Sequence, residues 1–321
     1  MLLNGCALMA PQFTAMQAQP PAATPTRVEL SDVPFFAQDA YQCGPAALAT
    51  VMVHRGLSIT PEALVPHVYL PARQGSLQVE MLAAPRASGL ITMVLAPRLD
   101  AVLREVRAGN PVVVLQDLGV WPLPYWHYAV VIGFDMEQGT AVLRSGEKQR
   151  VVLPMVLFEY SWRPGGHWAM VAMRPDQVPA TATESQWLAA IHAAERAALS
   201  RPQLGGDAPD AMVRVAYAAA LQRWPMSAGA AIALANVDYR AGRLAEAEAV
   251  LQAAVAQHPT SGLVLNNLAN LVFERGRPAE ALRLAERAVA HVGPFHVQAK
   301  ATHERILAKM TALEAAPTPA R

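Results

Sequence analysis

A 34-residue repeat in the second half of the chain is the feature that most constrains its fold. Proline, glycine, leucine and two alanine positions recur at this interval, in the pairs Pro225/Pro259, Gly242/Gly276, Leu234/Leu268, Ala247/Ala281 and Ala254/Ala288. This period, with small residues at helix crossings and a glycine at the turn, is typical of two-helix units that stack and bury their apolar faces against each other. We therefore predict an all-α domain over residues 186–315.

Two repeat units are clear in the sequence, at residues 228–261 and 262–295. A degenerate earlier unit is predicted to use helices near residues 187–199 and 211–224, and a closing helix over residues 296–313 is expected to cover the last apolar face. The pattern resembles tetratricopeptide repeats. That resemblance implies a concave groove for a peptide or a partner protein. A scaffold for the preceding domain, or a surface for self-association, is the alternative interpretation.

The first half of the chain carries a cysteine at the predicted start of a helix. Cys43 lies in the segment Gln42-Cys43-Gly44-Pro45-Ala46-Ala47-Leu48. Pro45 suits the first helical turn, where its missing N–H has no intrahelical partner in any case. The positive end of the helix dipole is expected to lower the pKa of the thiol, and main-chain N–H groups at a helix start can stabilise an oxyanion. Cys43 is therefore the candidate nucleophile.

A histidine at the head of an apolar strand is the candidate base. His127 opens a run that is apolar up to Phe134, and further short strands follow it. Tyr125 and Trp126 come directly before the histidine, and we expect them to form a wall for substrate, although they could instead cap the core. A helix with the thiol, followed by an antiparallel sheet with the histidine, predicts an α+β domain over residues 28–175.

Three segments together resemble the bacteriocin-processing cysteine peptidases, which are papain-like domains that cleave leader peptides after a double glycine. The segments are Val33-Pro34-Phe35-Phe36-Ala37-Gln38, Tyr41-Gln42-Cys43-Gly44-Pro45-Ala46-Ala47-Leu48 and His127-Tyr128-Ala129-Val130-Val131-Ile132-Gly133-Phe134-Asp135. The resemblance implies Cys43 as nucleophile, His127 as general base and a glutamine as oxyanion donor. Gln38 is the first choice for this donor and Gln42 the second. Tyr41 and Gln42 are expected beside the substrate.

The chain departs from the family after the histidine strand. The family typically has a carboxylate or amide residue there, whereas this chain has Ser145. A hydroxyl can orient an imidazole but cannot stabilise its positive charge as a carboxylate does. Asp135 and Glu147 are possible substitutes. Two outcomes stay open: a Cys-His pair oriented by Ser145, or a site without peptidase activity.

The start of the chain resembles a bacterial lipobox. Cys6 follows Leu3-Asn4-Gly5, and residues 7–26 form an uncharged stretch rich in Ala, Pro and Gln. The resemblance implies a lipid on Cys6 and a tether over residues 1–27, which would make the chain an outer-membrane lipoprotein facing the periplasm. Residues 176–185 are predicted to link the two domains.

Composition and motifs argue against nucleic-acid binding and against a cofactor or metal in this chain. The net charge is +1 and no basic patch is interleaved with aromatic residues, so nucleic-acid binding is not expected. No phosphate-binding glycine loop or metal-ligand spacing occurs, so neither cofactor nor metal is expected. The predicted function is a membrane-tethered cysteine peptidase that cleaves a peptide or small protein, with the repeats recruiting substrate or partner. The alternatives are a thiol-dependent acyl or peptidyl transferase and a catalytically inactive peptide-binding adaptor.

Overall fold

The computed structural model describes residues 9–19, 25–37, 42–120, 122–200, 209–291 and 293–314. These residues form two compact units that divide between Pro209 and Asp210. The first unit combines a sheet with helices, and the second is helical. This arrangement confirms the predicted fold class. None of the described helices is long and apolar enough to cross a membrane.

A seven-stranded antiparallel sheet is the framework of the first unit. Its strands in chain order are β1 Arg27–Glu29, β2 Ile91–Val94, β3 Val112–Asp117, β4 Trp126–Asp135, β5 Thr140–Ser145, β6 Lys148–Pro154 and β7 Ala169–Met173. They lie in the order β2-β7-β3-β4-β5-β6, with β1 paired to β4. The central strands β3, β4 and β7 are almost completely buried, as their continuous runs of Val, Ile, Ala and Met predict. The edge strand β6 carries Lys148 and Arg150 and is largely exposed.

Seven helices surround this sheet in the described part of the unit. They are α1 Pro11–Ala18, α2 Cys43–His54, α3 Pro61–Val68, α4 Gln78–Ala87, α5 Leu99–Arg107, α6 Met155–Trp162 and α7 Glu184–Ser200. Helix α2 is buried from Gly44 to Met52. Its Leu48 and Met52 belong to the same core as Tyr128 and Val130 of β4. This packing holds the start of α2 against the first residues of β4.

Residues 11–18 differ from the predicted flexible tether, because they form a helix that is docked on the sheet unit. Phe13 is buried, and its ring lies beside Gly139. The buried carboxylate of Glu159 accepts the main-chain N–H groups of Gln12 and Phe13 at 2.9 and 2.8 Å. A carboxylate from a distant helix thus satisfies the N-terminus of α1, where a negative charge is favoured. Cys6 lies outside the described residues.

The predicted linker is also fixed to the first unit, again by a buried glutamate. Glu105 accepts hydrogen bonds from the main-chain N–H groups of Ala180 and Thr181 and from the Asn110 side chain. Helix α7 then packs against β2 and α4. The boundary between compact units therefore follows α7, whereas the sequence prediction assigned this helix to the repeats.

The second unit contains six described helices that follow the repeat. They are α8 Pro209–Arg223, α9 Ala228–Arg240, α10 Leu244–Gln257, α11 Gly262–Glu274, α12 Pro278–Ala290 and α13 His296–Glu314. Ser227 and Ser261 occupy equivalent N-cap positions and accept main-chain N–H groups at the starts of α9 and α11. Gly242 and Gly276 take the left-handed backbone conformation at the turn between the two helices of each 34-residue repeat, with φ of 74° and 77°.

Ion pairs between two buried carboxylates and partly exposed arginines join successive helices of this unit. The carboxylate of Asp238, fully buried on α9, accepts a hydrogen bond at 2.7 Å from the Nε–H of Arg214 and another at 2.7 Å from that of Arg243. Glu248 on α10 pairs in the same way with Arg275 and Arg277. Removing one member of such a group would leave a buried charge without its partner.

Candidate active site

Cys43 is the first residue of α2, and its thiol is half-buried. Gly44 is required next to it, because a Cβ at this position would collide with Ser76. Burial raises the pKa of the Cys43 thiol, and hydrogen bonds from the main-chain N–H groups of Tyr128, Gly44 and Cys43 itself only partly offset this. The sequence led us to expect that the helix start lowers the pKa of this thiol, whereas in the structure the pKa is raised, because desolvation is the larger effect.

His127 is the second residue of β4 and is only 6% exposed. Its Nε2 lies 2.9 Å from Oγ of Ser145. Its Nδ1 makes no hydrogen bond to any other described residue. Burial lowers the pKa of the imidazole to about 4. His127 is thus neutral at physiological pH, and one ring nitrogen stays available for another partner.

Cys43 and His127 line the same cleft, which has a volume of about 800 Å³. No hydrogen bond joins the Cys43 sulfur to the His127 ring in this part of the structure. A raised thiol pKa and a lowered imidazole pKa mean that the two groups rest as a neutral pair rather than as a thiolate and an imidazolium. Catalytic hydrogen bonds are often long or absent without substrate, so this geometry is compatible with proton transfer once a substrate is bound.

Ser145 reaches His127 because of the pairing between β4 and β5. Val130 lies opposite Arg144, which brings the end of β5 beside the start of β4. The two carboxylates considered as substitutes do not take this role. Asp135 accepts the main-chain N–H groups of Glu137 and Gln138 at the far end of β4. Glu147 lines the cleft, but the structure shows no contact between it and His127.

Arg144 is a buried residue whose contribution the sequence interpretation missed. Its guanidinium donates to the main-chain carbonyls of Val33, at 2.8 and 3.1 Å, and of Gln149, at 2.6 Å. It thus attaches the segment that leads toward α2 to the strand that carries Ser145. A single arginine within the apolar sequence of β5 was the available signal.

The loop before His127 is fixed by Asp117, which the sequence interpretation also missed. One carboxylate oxygen of Asp117 accepts the main-chain N–H groups of Gly119 and Tyr125, at 2.9 and 2.8 Å. Tyr125 and Trp126 are half-exposed and line the cleft. Their position agrees with a wall beside the substrate.

Residues 73–78 form a further part of the cleft wall. In this wall the buried hydroxyl of Ser76 has no hydrogen-bond partner. The main-chain carbonyl of Ser76 accepts a hydrogen bond from the Tyr128 hydroxyl at 3.3 Å. Gln42 is the N-cap of α2, but its side chain does not cap the helix and does not line the cleft. Gln38 and Tyr41 lie outside the described residues, so their roles stay predictions.

Two protein families match the chain. The model of the peptidase C39-like family matches residues 30–167, and that of the tetratricopeptide repeat matches residues 239–306. The first match contains Cys43, His127 and Ser145. No curated protein matches the chain significantly.

The solved structures that match part of the chain include the following two proteins. A Bacillus anthracis protein described as a C39-like peptidase is 18% identical with a TM-score of 0.39, and the match covers 46% of this chain and 97% of that one. A thermophilic tetratricopeptide-repeat protein from Thermus thermophilus is 20% identical with a TM-score of 0.34, covering 39% of this chain and 64% of that one. The chain thus spans less than two thirds of the second protein.

The family matches and the observed architecture define the class of protein. The chain has an N-terminal C39-like domain built on a sheet with helices, followed by a helical tetratricopeptide-repeat region.

Proposed function

We propose that the chain is a cysteine peptidase that cleaves a peptide or a small protein, with Cys43 as nucleophile and His127 as general base. The observation that carries this proposal is the orientation of His127. Ser145 holds Nε2 in the cleft that also contains Cys43, and Nδ1 stays without a partner among the described residues. A base needs one ring nitrogen held and the other free toward the proton that it removes.

The neutral state of the pair sets the order of proton transfers. With its proton on Nε2 and donated to Ser145, His127 takes the thiol proton at Nδ1 as the sulfur attacks the scissile carbonyl. The tetrahedral intermediate collapses to a thioester, and the same proton goes from Nδ1 to the leaving amine. Water then attacks the thioester, with His127 again as base, and releases the acid and the free thiol.

Two groups beside the reacting atoms, an amide donor and the Ser145 hydroxyl, would contribute differently to the rate of cleavage. We expect the side-chain amide of Gln38 to donate to the developing oxyanion, because Gln42, the second choice from the sequence, does not line the cleft. The Ser145 hydroxyl accepts a hydrogen bond from Nε2–H of His127 but offers no negative charge to the imidazolium that forms. Turnover would therefore be slower than in a site with a carboxylate at this position.

The other features of the proposal come from the family resemblances. The repeats would recruit the substrate or a partner, as repeats of this type commonly bind polypeptides. Cleavage after small residues such as Gly-Gly follows from the bacteriocin-processing peptidases. A lipid on Cys6 would place the chain on the outer membrane, facing the periplasm.

A peptide-binding adaptor without catalytic activity is the second candidate. The neutral thiol, the neutral imidazole and the hydroxyl of Ser145 in place of a carboxylate favour it. Such a protein would still use the cleft and the repeats to hold a polypeptide.

Incubation with a peptide library that includes Gly-Gly sequences, read by mass spectrometry, separates the two candidates. A peptidase yields products with the wild type and none with Cys43→Ala, and Ser145→Asp increases the rate by restoring a carboxylate. An adaptor binds the same peptides with wild type and Cys43→Ala but cleaves none. Products joined to an added amine, rather than to water, would instead identify a transferase.

A further inference from the structure

The loop at residues 118–126 presents an unusual apolar surface beside the cleft. Its described members Leu118, Val120, Leu123, Tyr125 and Trp126 are all exposed. No Asp, Glu, Lys or Arg occurs between Asp117 and Asp135. Surface loops are normally polar, and clustered exposed apolar side chains in a soluble protein mark a contact with another molecule or with a membrane.

The described residues on either side of position 121 are held in place by hydrogen bonds within the loop. Besides the two main-chain N–H groups that Asp117 accepts, the N–H of Leu118 donates to Tyr125 O at 2.8 Å and that of Leu123 to Val120 O at 2.7 Å. Gly119 is needed because a Cβ there would collide with the backbone of residues 123–125. The fixed backbone thus holds the apolar side chains in exposed positions. Their burial against another molecule would cost little conformational entropy, because the loop is already ordered.

The loop has two parts that face different surroundings. Pro124, Tyr125 and Trp126 line the cleft, whereas Val120 and Leu123 do not. Val120 and Leu123 are 77% and 73% exposed, so their side chains project into solvent. A peptide held in the cleft would leave this projecting pair in water. Sites that bind small ligands and peptide side chains are concave, so a projecting pair is a poor receptor for them.

We propose that the loop inserts Val120 and Leu123 into the interfacial region of a lipid bilayer. A bilayer yields around a projecting apolar group, and Tyr and Trp residues favour the headgroup level, where Tyr125 and Trp126 would lie at the base of the loop. The mouth of the cleft then faces the membrane surface, and the polypeptide that enters it is one held at that surface. The proposal is independent of any lipid on Cys6 and of catalysis by Cys43.

The expected binding is weak and reversible. A single myristoyl chain binds membranes with a constant of about 10⁴ M⁻¹, and two aliphatic side chains bury fewer CH₂ groups than that chain. Binding therefore needs millimolar lipid to be seen, and a second anchor would be required for stable attachment. Because the loop is uncharged, its binding should not depend on salt or on anionic lipid.

Co-sedimentation of the full chain with phosphatidylcholine vesicles tests the proposal. Cys6→Ser is introduced throughout, so that no acyl chain contributes. The chain should bind in about 0.1 M and in about 0.5 M NaCl, and Val120→Ser with Leu123→Ser should reduce the partition coefficient at least about tenfold, given the apolar area removed. The matched control is Met226→Ser with Val297→Ser, two exposed apolar residues of the repeat unit, which should leave binding unchanged.

Three results would overturn the proposal. One is the absence of binding at millimolar lipid, and another is equal binding by the loop double variant and the wild type. The third is binding only to vesicles with anionic lipid and only at low salt, which would show adsorption through charges. Tight capture of an apolar polypeptide by the loop, with no vesicle binding, would assign the loop to a protein partner instead. Unchanged thermal unfolding of both double variants excludes misfolding as the cause.

Discussion

Replacing His127 by glutamine should make the first unit less sensitive to acid. In the unfolded chain a histidine titrates near 6.5, whereas burial lowers the pKa of His127 in the fold to about 4. Between these values the unfolded chain binds a proton at this position and the folded chain does not. The free energy of unfolding therefore falls as the pH decreases from 6.5 to 4, and is unaffected by this group above and below that range.

The size of the effect follows from the difference between the two pKa values. About 2.5 pH units at 1.36 kcal/mol each correspond to about 3 kcal/mol of stability lost through His127 between pH 7 and pH 4. His127→Gln removes this contribution. Burial also lowers the pKa values of His54 and His167, but both residues are present in wild type and variant, so their contributions cancel in the comparison.

Urea unfolding at several pH values between 4 and 7.5 provides the measurement. Pulsed hydrogen exchange read on peptides from β3 and β4 reports the first unit separately from the repeats. The stability of the wild type relative to His127→Gln should fall by about 3 kcal/mol across this range. A relative stability that stays constant within about 0.5 kcal/mol, the usual error of additivity, would refute the buried, neutral state of His127.

Three further substitutions test the packing around the site and in the repeats. Gly44→Ala should cost about 1–3 kcal/mol, because the new Cβ collides with Ser76; chemical denaturation checks it, and an unchanged midpoint would argue against this close approach. Phe13→Ala should undock α1, seen as fast hydrogen exchange at residues 11–18 while β4 stays protected; slow exchange in both would show that docking does not depend on this ring. Asp238→Ala removes the buried acceptor of hydrogen bonds from two arginines that are 40% and 35% exposed, and should destabilise the second unit by about 1–3 kcal/mol in urea denaturation; a loss below about 0.5 kcal/mol would show that these hydrogen bonds add little stability.

The elements with a strong periodic signal could be predicted from the sequence. The repeat was found because its glycines, prolines and alanines recur at one fixed interval, and each local choice agrees with the helical stack. The helix that begins at Cys43 and the strand that contains His127 were found because a helix-start proline and a continuous apolar run are local features.

Features that depend on distant partners could not be predicted in this way. Helix α1 was interpreted as a tether because its N-terminus is satisfied by Glu159, far along the chain. Residues 176–185 were predicted only to link the two domains, because Glu105, which fixes them, lies 75 and 76 residues before the N–H groups of Ala180 and Thr181. The pKa of Cys43 was misjudged for the same reason, since the helix start is visible in the sequence and the burial that outweighs it is not.

The contact between Ser145 and His127 could be predicted because it depends only on the pairing of two neighbouring strands. The hydroxyl was expected near the imidazole from its position after the histidine strand, and the structure brings Nε2 and Oγ together.

The rate at which Cys43 reacts with a peptide electrophile, measured from pH 4 to pH 9 in wild type and His127→Ala, tests the central claim most directly. Mass spectrometry of the tryptic fragment with Cys43 excludes labelling of Cys6. A neutral Cys-His pair predicts that wild-type labelling rises above about pH 4, as the imidazole becomes able to act as base, and exceeds that of the variant at pH 7 by about a hundredfold. Equal rates in the two proteins, both rising only near the pKa of a free thiol at about 8.5, would contradict it.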